Sequence, residues 1–361
     1  MTDPFDEATS AGGVSGTLDE EGIERDGWGR YVIPHPQTKR KMGWTRVTTF
    51  AKSISDTYAL DMWGRRMVAK GLSMRRDLVL AAAACDVSKD RDRLNGIAKE
   101  AADAAAARAG ANLGTALHSF SEMVDRGENP EIPPPWDKAM AAYSEAMKVA
   151  GLKPHPDRME QIIVNMLYKV AGKYDRVLEA TKYLKVKFPG KPAIIIRPGD
   201  LLIGDLKTGR DLQYGWGEIA VQLATYANAS SIWDRVNAVH LPMFPVRKDV
   251  AIVMHVPAVG EWTGEDKATL YFVDIQTGWE GADLCAKVRK WRSTRGLSEP
   301  VGIVEISDDE ISASSPSWAE RIARATTAAQ LSAIRHEAMA RNEWTPELLA
   351  LGLERQKLFG N

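Results

Sequence analysis

Cysteine is almost absent from this chain. Its two thiols, Cys85 and Cys285, lie far apart and without metal-type spacing, which excludes a disulfide framework and a cysteine-ligated zinc or iron-sulfur centre. Buried thiols are the expected form. Long apolar runs are lacking too: none approaches the roughly 20 residues that a membrane span needs, so no membrane partner is expected. The opening "MTDPFDEATSAGG" lacks the basic-then-apolar layout of a signal peptide, and the expected location is the cytoplasm.

A large charge surplus is also missing. The formal net charge of −1 over 361 residues combines −7 over residues 1–27, where eight acids stand against Arg25, with +6 over the remainder. That is a mild bias toward anionic partners and no more. Two familiar catalytic patterns fail as well. The "KTG" at 207–209 has no Ser-x-x-Lys or Ser-Asp-Asn partner. Gly172-Lys173 and Gly190-Lys191 are followed by Tyr174 and Pro192, where a phosphate-binding loop needs Ser or Thr.

What is present is an ordinary globular composition, 44% hydrophobic and 26% charged, enough for one large or two modest domains. Residues 1–27 carry few large apolar groups, so a disordered acidic tail is expected there. Residues 28–151 read as mainly helical, with Leu60, Trp63, Met67 and Val68 spaced for one buried face. Prolines open and Gly151 closes the segment around "WDKAMAAYSEAMKVA". The pattern changes after it. "QIIVNMLYKVAGKYDRVLEA" suits two adjoining strands, and "AIIIRPGDLLIGDLKTG" suits strands buried on both faces, broken at Pro198-Gly199. A helix at "WGEIAVQLATYA", strands at "VAIVMHV" and "TLYFVDI" and a helix at 279–293 follow. This order predicts an α/β (α+β) fold, a mixed central sheet flanked by helices over 152–300. Residues 301–361 read as a helical C-terminal module in which Pro346 starts a fresh helix.

Chemistry concentrates in "GDLKTG" at 204–209. In a strand, residues two apart share a face, so Asp205 and Lys207 project a carboxylate and an ammonium into one cleft while Leu206 packs behind. That suits metal-assisted hydrolysis with an oxygen-ligated cation such as Mg²⁺. The pattern alone is weak: Glu265-Asp266-Lys267 repeats it in a polar, surface-type segment. Asp175 in "AGKYDRV" supplies a second acid from a neighbouring strand, although a salt bridge to Arg176 is an alternative. His118 in "GTALHSFSE" sits one helical turn after Gly114, which permits close approach of another element, and Glu122 extends the same polar stripe. In "QLATYA", Gln222 and Tyr226 share a helix face and offer an amide and a phenol to a phosphate or base. Tyr214 and Trp216 suit either base stacking or core packing.

Taken in order, "GTALH", "MEQIIV" with "AGKYD", "IGDLKTG" and "QLATY" resemble the PD-(D/E)XK nuclease superfamily, in the branch that holds RecB-like nuclease domains, CRISPR-adaptation exonucleases and phage-encoded exonucleases. The resemblance runs from about Trp44 to about residue 295. It implies a restriction-endonuclease-like core and a Mg²⁺- or Mn²⁺-dependent deoxyribonuclease that cuts exonucleolytically at the ends of linear DNA, in phage recombination, repair or replication and so in a host cytoplasm. It implies that His118, Asp175, Asp205 and the Leu206 carbonyl hold the metal, that Lys207 positions or polarises water, and that Gln222 and Tyr226 contact DNA. Glu160 stands where such nucleases often carry an acid, and Glu122 is a further candidate. The four-cysteine iron-sulfur cluster common in the branch is not expected here. The basic insertion "TKYLKVKFPGKPA" reads as a hairpin that either touches DNA or is a solvated loop. The C-terminal helices suit docking of a recombination or single-strand annealing protein, and an oligomer is compatible with processive action. The competing expectation is a catalytically inactive relative that keeps the fold as a DNA-binding or assembly module.

Overall fold

The computed structural model describes residues 16–19, 22–105, 109–209, 211–213, 215–257, 262, 266–299, 301, 307 and 315–359. The chain divides into two compact units, Met1–Thr294 and Arg295–Asn361.

The first unit opens with strands β1 (Thr17–Leu18), β2 (Glu24–Arg25), β3 (Tyr31–Pro34) and β4 (Lys41–Arg46). These strands correct two expectations, the disordered tail so far as residues 16–19 and 22–27 are concerned and the helical reading of the first residues after it. Specific long-range pairings create order that composition conceals. Lys41 Nζ lies 2.6 Å from Glu24 Oε2, Arg25 Nε 3.0 Å from Asp19 Oδ2, and the Arg25 guanidinium 3.6 Å above the Tyr31 ring. Residues 1–15, 20 and 21 fall outside the described part of the chain.

Helices then dominate, as the pattern predicts: α1 (Val47–Ala51), α2 (Tyr58–Met74), α3 (Arg76–Ala83), α4 (Arg91–Ala104), α5 (Ala109–Asp125) and α6 (Trp136–Ala150). The buried face of α2 differs from the expected one. Leu60 and Trp63 are 61% and 40% exposed, because the helix docks through Gly71. A Cβ there would sit 1.6 Å from the Ala101 carbonyl oxygen, so α2 and α4 meet backbone to backbone. Gly151, in the left-handed conformation at φ 68°, ends α6.

The remaining elements are β5 (Leu152–Met159), β6 (Ile162–Asn165), β7 (Val170–Lys173), β8 (Arg176–Ala180), β9 (Leu184–Val186), β10 (Ile194–Ile196), β11 (Leu201–Lys207), α7 (Trp216–Ala227), β12 (Ser231–Asp234), β13 (Val239–Pro242), β14 (Val250–His255), β15 (Thr269–Asp274) and α8 (Ile275–Arg292). The fold is mixed α/β. The single expected sheet is resolved into two larger ones. One has the order β1-β2-β3-β4-β7-β6-β12-β13, the other β15-β14-β11-β8-β5. In each, one neighbouring pair is parallel, β4 with β7 and β11 with β14. The chain leaves the first sheet at Lys173 and enters the second at Arg176, so Tyr174 and Asp175 lie in the crossing.

Strand alternation gives the five-stranded sheet two apolar faces. Val177, Ile203, Val253 and Val273 pack with Phe50, Ile219, Leu223 and Cys285 of α1, α7 and α8. Leu178, Leu202, Leu206 and Ile252 pack with Leu117 of α5 and with Met140, Tyr143 and Met147 of α6. Each fully buried aliphatic side chain stabilises the fold by ~1.5–3 kcal/mol. The insertion is a hairpin of β9 and β10, with Leu184, Val186, Phe188 and Ile194 on the second core. One of its basic residues, Lys191, is tied to Asp274 at 2.7 Å.

The second unit contains α9 (Trp318–Arg324), α10 (Ala328–Ala340) and α11 (Pro346–Lys357) around Ile322, Leu331 and Ile334. Side-chain caps from Ser317, Thr327 and Thr345 begin these helices.

Candidate active site

The site is built at one end of β11. The antiparallel register sets Ile203 opposite Val177 and Gly204 opposite Arg176. Asp205 follows Gly204 and Asp175 precedes Arg176, so the two acids stand at the same end of this strand pair. The Leu206 N–H, between Asp205 and Lys207, donates to Asp175 Oδ2 at 2.7 Å and fixes that carboxylate, while the Leu206 side chain lies in the core.

Asp205 and Lys207 share the face covered by α7. Asp205 is 2% exposed. Its Oδ2 lies 2.6 Å from Lys207 Nζ but receives no well-directed hydrogen bond, and its Oδ1 accepts from Gln222 Nε2 at 3.3 Å. Gln222 Nε2 also donates to Tyr226 Oη at 3.2 Å, and Gln222 Oε1 lies 3.5 Å from Lys207 Nζ. Both of these α7 residues, expected to contact DNA, lie inside the fold. Gln222 and Tyr226 are 7% and 2% exposed, and they support Asp205 and Lys207 from within. Trp216 packs edge-on against Tyr271 and against the core, which favours the packing alternative. Tyr214 lies outside the described residues.

Helix α5 brings His118. Its Nδ1 is 3.5 Å from Asp175 Oδ2. Gly114 acts as expected: a Cβ there would sit 2.5 Å from Thr208 Oγ1, so the end of "GDLKTG" abuts the helix. A cleft of about 680 Å³ opens beside this contact, lined by residues that include His118, Glu122, Glu160, Lys173 and Asp175. Glu160 holds a left-handed backbone conformation at φ 53°, uncommon for a residue with a side chain. Its N–H donates to the Asp175 carbonyl at 2.9 Å and its carboxylate pairs with Lys173 at 2.5 Å. Glu122 pairs with Arg126 at 3.3 Å.

Electrostatics follow from this burial. Removal from water pushes the Asp205 carboxyl above its ordinary range, with Asp175 adding and Lys207 opposing. Burial works against the Lys207 ammonium, but Asp205 and Asp175 lift it above its usual value, so the lysine stays charged. Burial, with Asp175 as the next cause, raises Glu160 to about 7 against the pull of Lys173.

The donor set fits a hard cation in kind: carboxylates, an imidazole and a deeply buried carboxylate oxygen without a hydrogen bond. It is not drawn around one centre. Among the described residues, no three His, Cys, Asp or Glu side chains form a metal-holding group. Asp205 leans on Lys207 while His118 leans on Asp175.

Sequence reasoning missed Arg176, Asp125, Tyr143, Ser121 and Lys173. Arg176 does not pair with the neighbouring Asp175 as the alternative reading had it. Adjacent residues of a strand point to opposite faces, and Arg176 pairs instead with Asp125 of α5. An arginine flanked by the apolar run Val177-Leu178 was the available signal. Compared with known proteins, the chain matches no family model and no curated protein.

Proposed function

We propose that the chain is a divalent-metal-dependent deoxyribonuclease of PD-(D/E)XK type that hydrolyses phosphodiester bonds from the ends of linear DNA. The observation that carries this reading is the meeting of Asp175, Asp205 and Lys207 at the end of two paired strands, with His118 on one flank and Gln222 on the other. His118, Asp175, Asp205 and the Leu206 carbonyl would hold Mg²⁺ or Mn²⁺. When bound, such a cation neutralises phosphate charge and makes a nucleophile of water. Lys207, kept protonated by the two acids, presents a compact positive charge for an attacking water or a phosphate oxygen. Gln222 orients both Asp205 and Lys207, and the Leu206 N–H orients Asp175. The basic partners in the cleft, Arg126 and Lys173, give a polyanion an entry beside His118.

One observation favours the second reading, a catalytically inactive DNA-binding or assembly module: the acids are not gathered around one point. End-labelled single- and double-stranded linear DNA, incubated with the protein and Mg²⁺ or Mn²⁺ and with EDTA as control, separates the two. A nuclease removes label only with metal, and Asp205→Ala and Lys207→Ala each slow the reaction roughly 100-fold or more. A folded parent that retards DNA on a gel yet leaves it intact with either metal is the binding module.

A further inference from the structure

On the sheet face away from Asp205 lies a second buried polar cluster. Arg176 is fully buried. Its Nη1 binds Asp125 Oδ2 and donates to Tyr143 Oη at 2.8 Å, and its Nη2 donates to Ser121 Oγ at 3.0 Å. Tyr143 in turn donates to Asp125 Oδ2 at 2.8 Å. One guanidinium of β8 thereby joins α5, which carries Ser121 and Asp125, to α6, which carries Tyr143. Its planar fork of donors suits this multi-point role, and a lysine ammonium lacks that shape. Gly204 leaves the room: a Cβ there would sit 3.2 Å from Arg176 Cγ and 2.9 Å from Leu178 Cδ1.

The two ends of this network reach the candidate metal ligands. At one end, Arg176 follows Asp175 directly, so anchoring its side chain fixes the backbone that carries Asp175. At the other, the Ser121 hydroxyl that accepts from Arg176 donates to the His118 carbonyl at 2.8 Å. The path from Asp175 to His118 thus runs through one peptide bond, one guanidinium and one hydroxyl. Apolar packing of Leu117 against Leu178 already fastens α5 to the sheet. It does not fix the rotation of the helix as the directed hydrogen bond from Arg176 of the sheet to Ser121, three residues after His118 on α5, does.

We infer that Arg176 is a positioning residue, acting through Ser121 and Asp125 to hold His118 and Asp175 in register for a shared divalent cation. The inference rests on the proposed metal-dependent function. Groups that orient metal ligands typically change metal affinity by 10–100-fold, and Arg176 and Ser121 fall in that class.

The test is Mn²⁺ binding to the full chain, followed by electron paramagnetic resonance of the free ion, with thermal unfolding recorded for each variant. Ser121→Ala removes the link with the least disturbance, and Arg176→Lys keeps the charge but not the fork. Met140→Ala serves as control, since Met140 lies in the same core beside Tyr143 without polar contact to the network. The expected result is Mn²⁺ affinity reduced about tenfold or more in Ser121→Ala and Arg176→Lys, and parent-like affinity in Met140→Ala even where it melts earlier. A parent that binds Mn²⁺ while Ser121→Ala and Arg176→Lys bind no more weakly than Met140→Ala overturns the positioning role and leaves the proposed function standing. A parent without Mn²⁺ binding overturns both.

Discussion

The two faces of the five-stranded sheet each bury a carboxylate against a cation, yet the two carboxylates differ in how far they are satisfied. The one Tyr143 hydroxyl lies within hydrogen-bond reach of both oxygens of Asp125, Oδ2 the nearer, Arg176 also binds Oδ2, and Ser121 takes a further donor of the guanidinium. Asp205, nearly as deep, keeps one oxygen with only the Lys207 ion contact and no directed hydrogen bond. A buried polar network with its acids satisfied rigidifies a fold, whereas an incomplete one stores cost. Each cluster leaves one buried atom without a hydrogen bond, Arg176 Nε in the first and Asp205 Oδ2 in the second. The first is a pin and the second a site because the unmet group of the second is an acid oxygen, which a cation can answer.

The sharpest way to break this contrast is to remove each acid in turn. Asp125→Ala strands a buried guanidinium and is expected to destabilise the protein by ~3–5 kcal/mol. Asp205→Asn removes a carboxylate that burial already disfavours and retains an amide for Gln222, while the partly exposed Lys207 keeps Asp175 as counter-charge, so the expected loss is smaller, ~1–2 kcal/mol. Urea unfolding of the two variants measures both. Equal losses would mean that the Asp205 pair is as structural as the Arg176 pair.

A pH titration sharpens the same distinction at the cleft. Glu160 has its carboxyl raised to about 7, chiefly by burial and then by Asp175. The folded state therefore binds a proton there more tightly than the unfolded chain does. Between its ordinary value and about 7 the folded protein holds the extra proton, so stability falls as pH rises through that window and levels off above it. The loss relative to Glu160→Gln is expected to reach at most ~3 kcal/mol. Melting curves of the parent and Glu160→Gln from pH 4.5 to 7.5 check it, and parallel curves would exclude a raised carboxyl.

Much of the site was legible because its residues obey local periodicities. Asp205 and Lys207 share a face as residues two apart in a strand must, and Gln222 and Tyr226 share one as residues four apart in a helix must. A close approach at Gly114 was anticipated for the same reason, and the structure supplies Thr208 as its partner. The sheets were less legible. The run from Gln161 to Ala180 reads as adjoining strands, but nothing local marks the crossing at Tyr174-Asp175 that parts β7 from β8 into different sheets. The Arg176 cluster joins Arg176 to residues 33 to 55 positions away, and such pairings leave no periodic trace. The face of α2 was misread because Gly71, rather than the larger side chains, makes the closest contact with Ala101.

Gly204 belongs to both clusters, since it precedes Asp205 and stands opposite Arg176. Gly204→Ala drives a methyl against Leu178 and Arg176, and overpacking of this kind typically destabilises by ~1–3 kcal/mol. If the pin governs the site, the variant also weakens Mn²⁺ binding. A variant that loses stability alone would confine the two clusters to their own faces of the sheet.

The smallest expected effect lies behind Asp205. Tyr226→Phe removes the hydroxyl that accepts from Gln222 while keeping the ring against Tyr174 at 6.4 Å. The net loss of one buried hydrogen bond is ~1 kcal/mol, read as a small shift in the unfolding midpoint. Its effect on function points the other way from that of a surface residue. With Tyr226 buried, the variant leaves DNA affinity in EDTA unchanged and acts through the Gln222 amide, which is then free to turn toward Asp205 or away from it. A drop in metal-free DNA affinity would instead place the phenol at the strand-binding surface, and with it would fall the assignment of Gln222 and Tyr226 as supports of the acid.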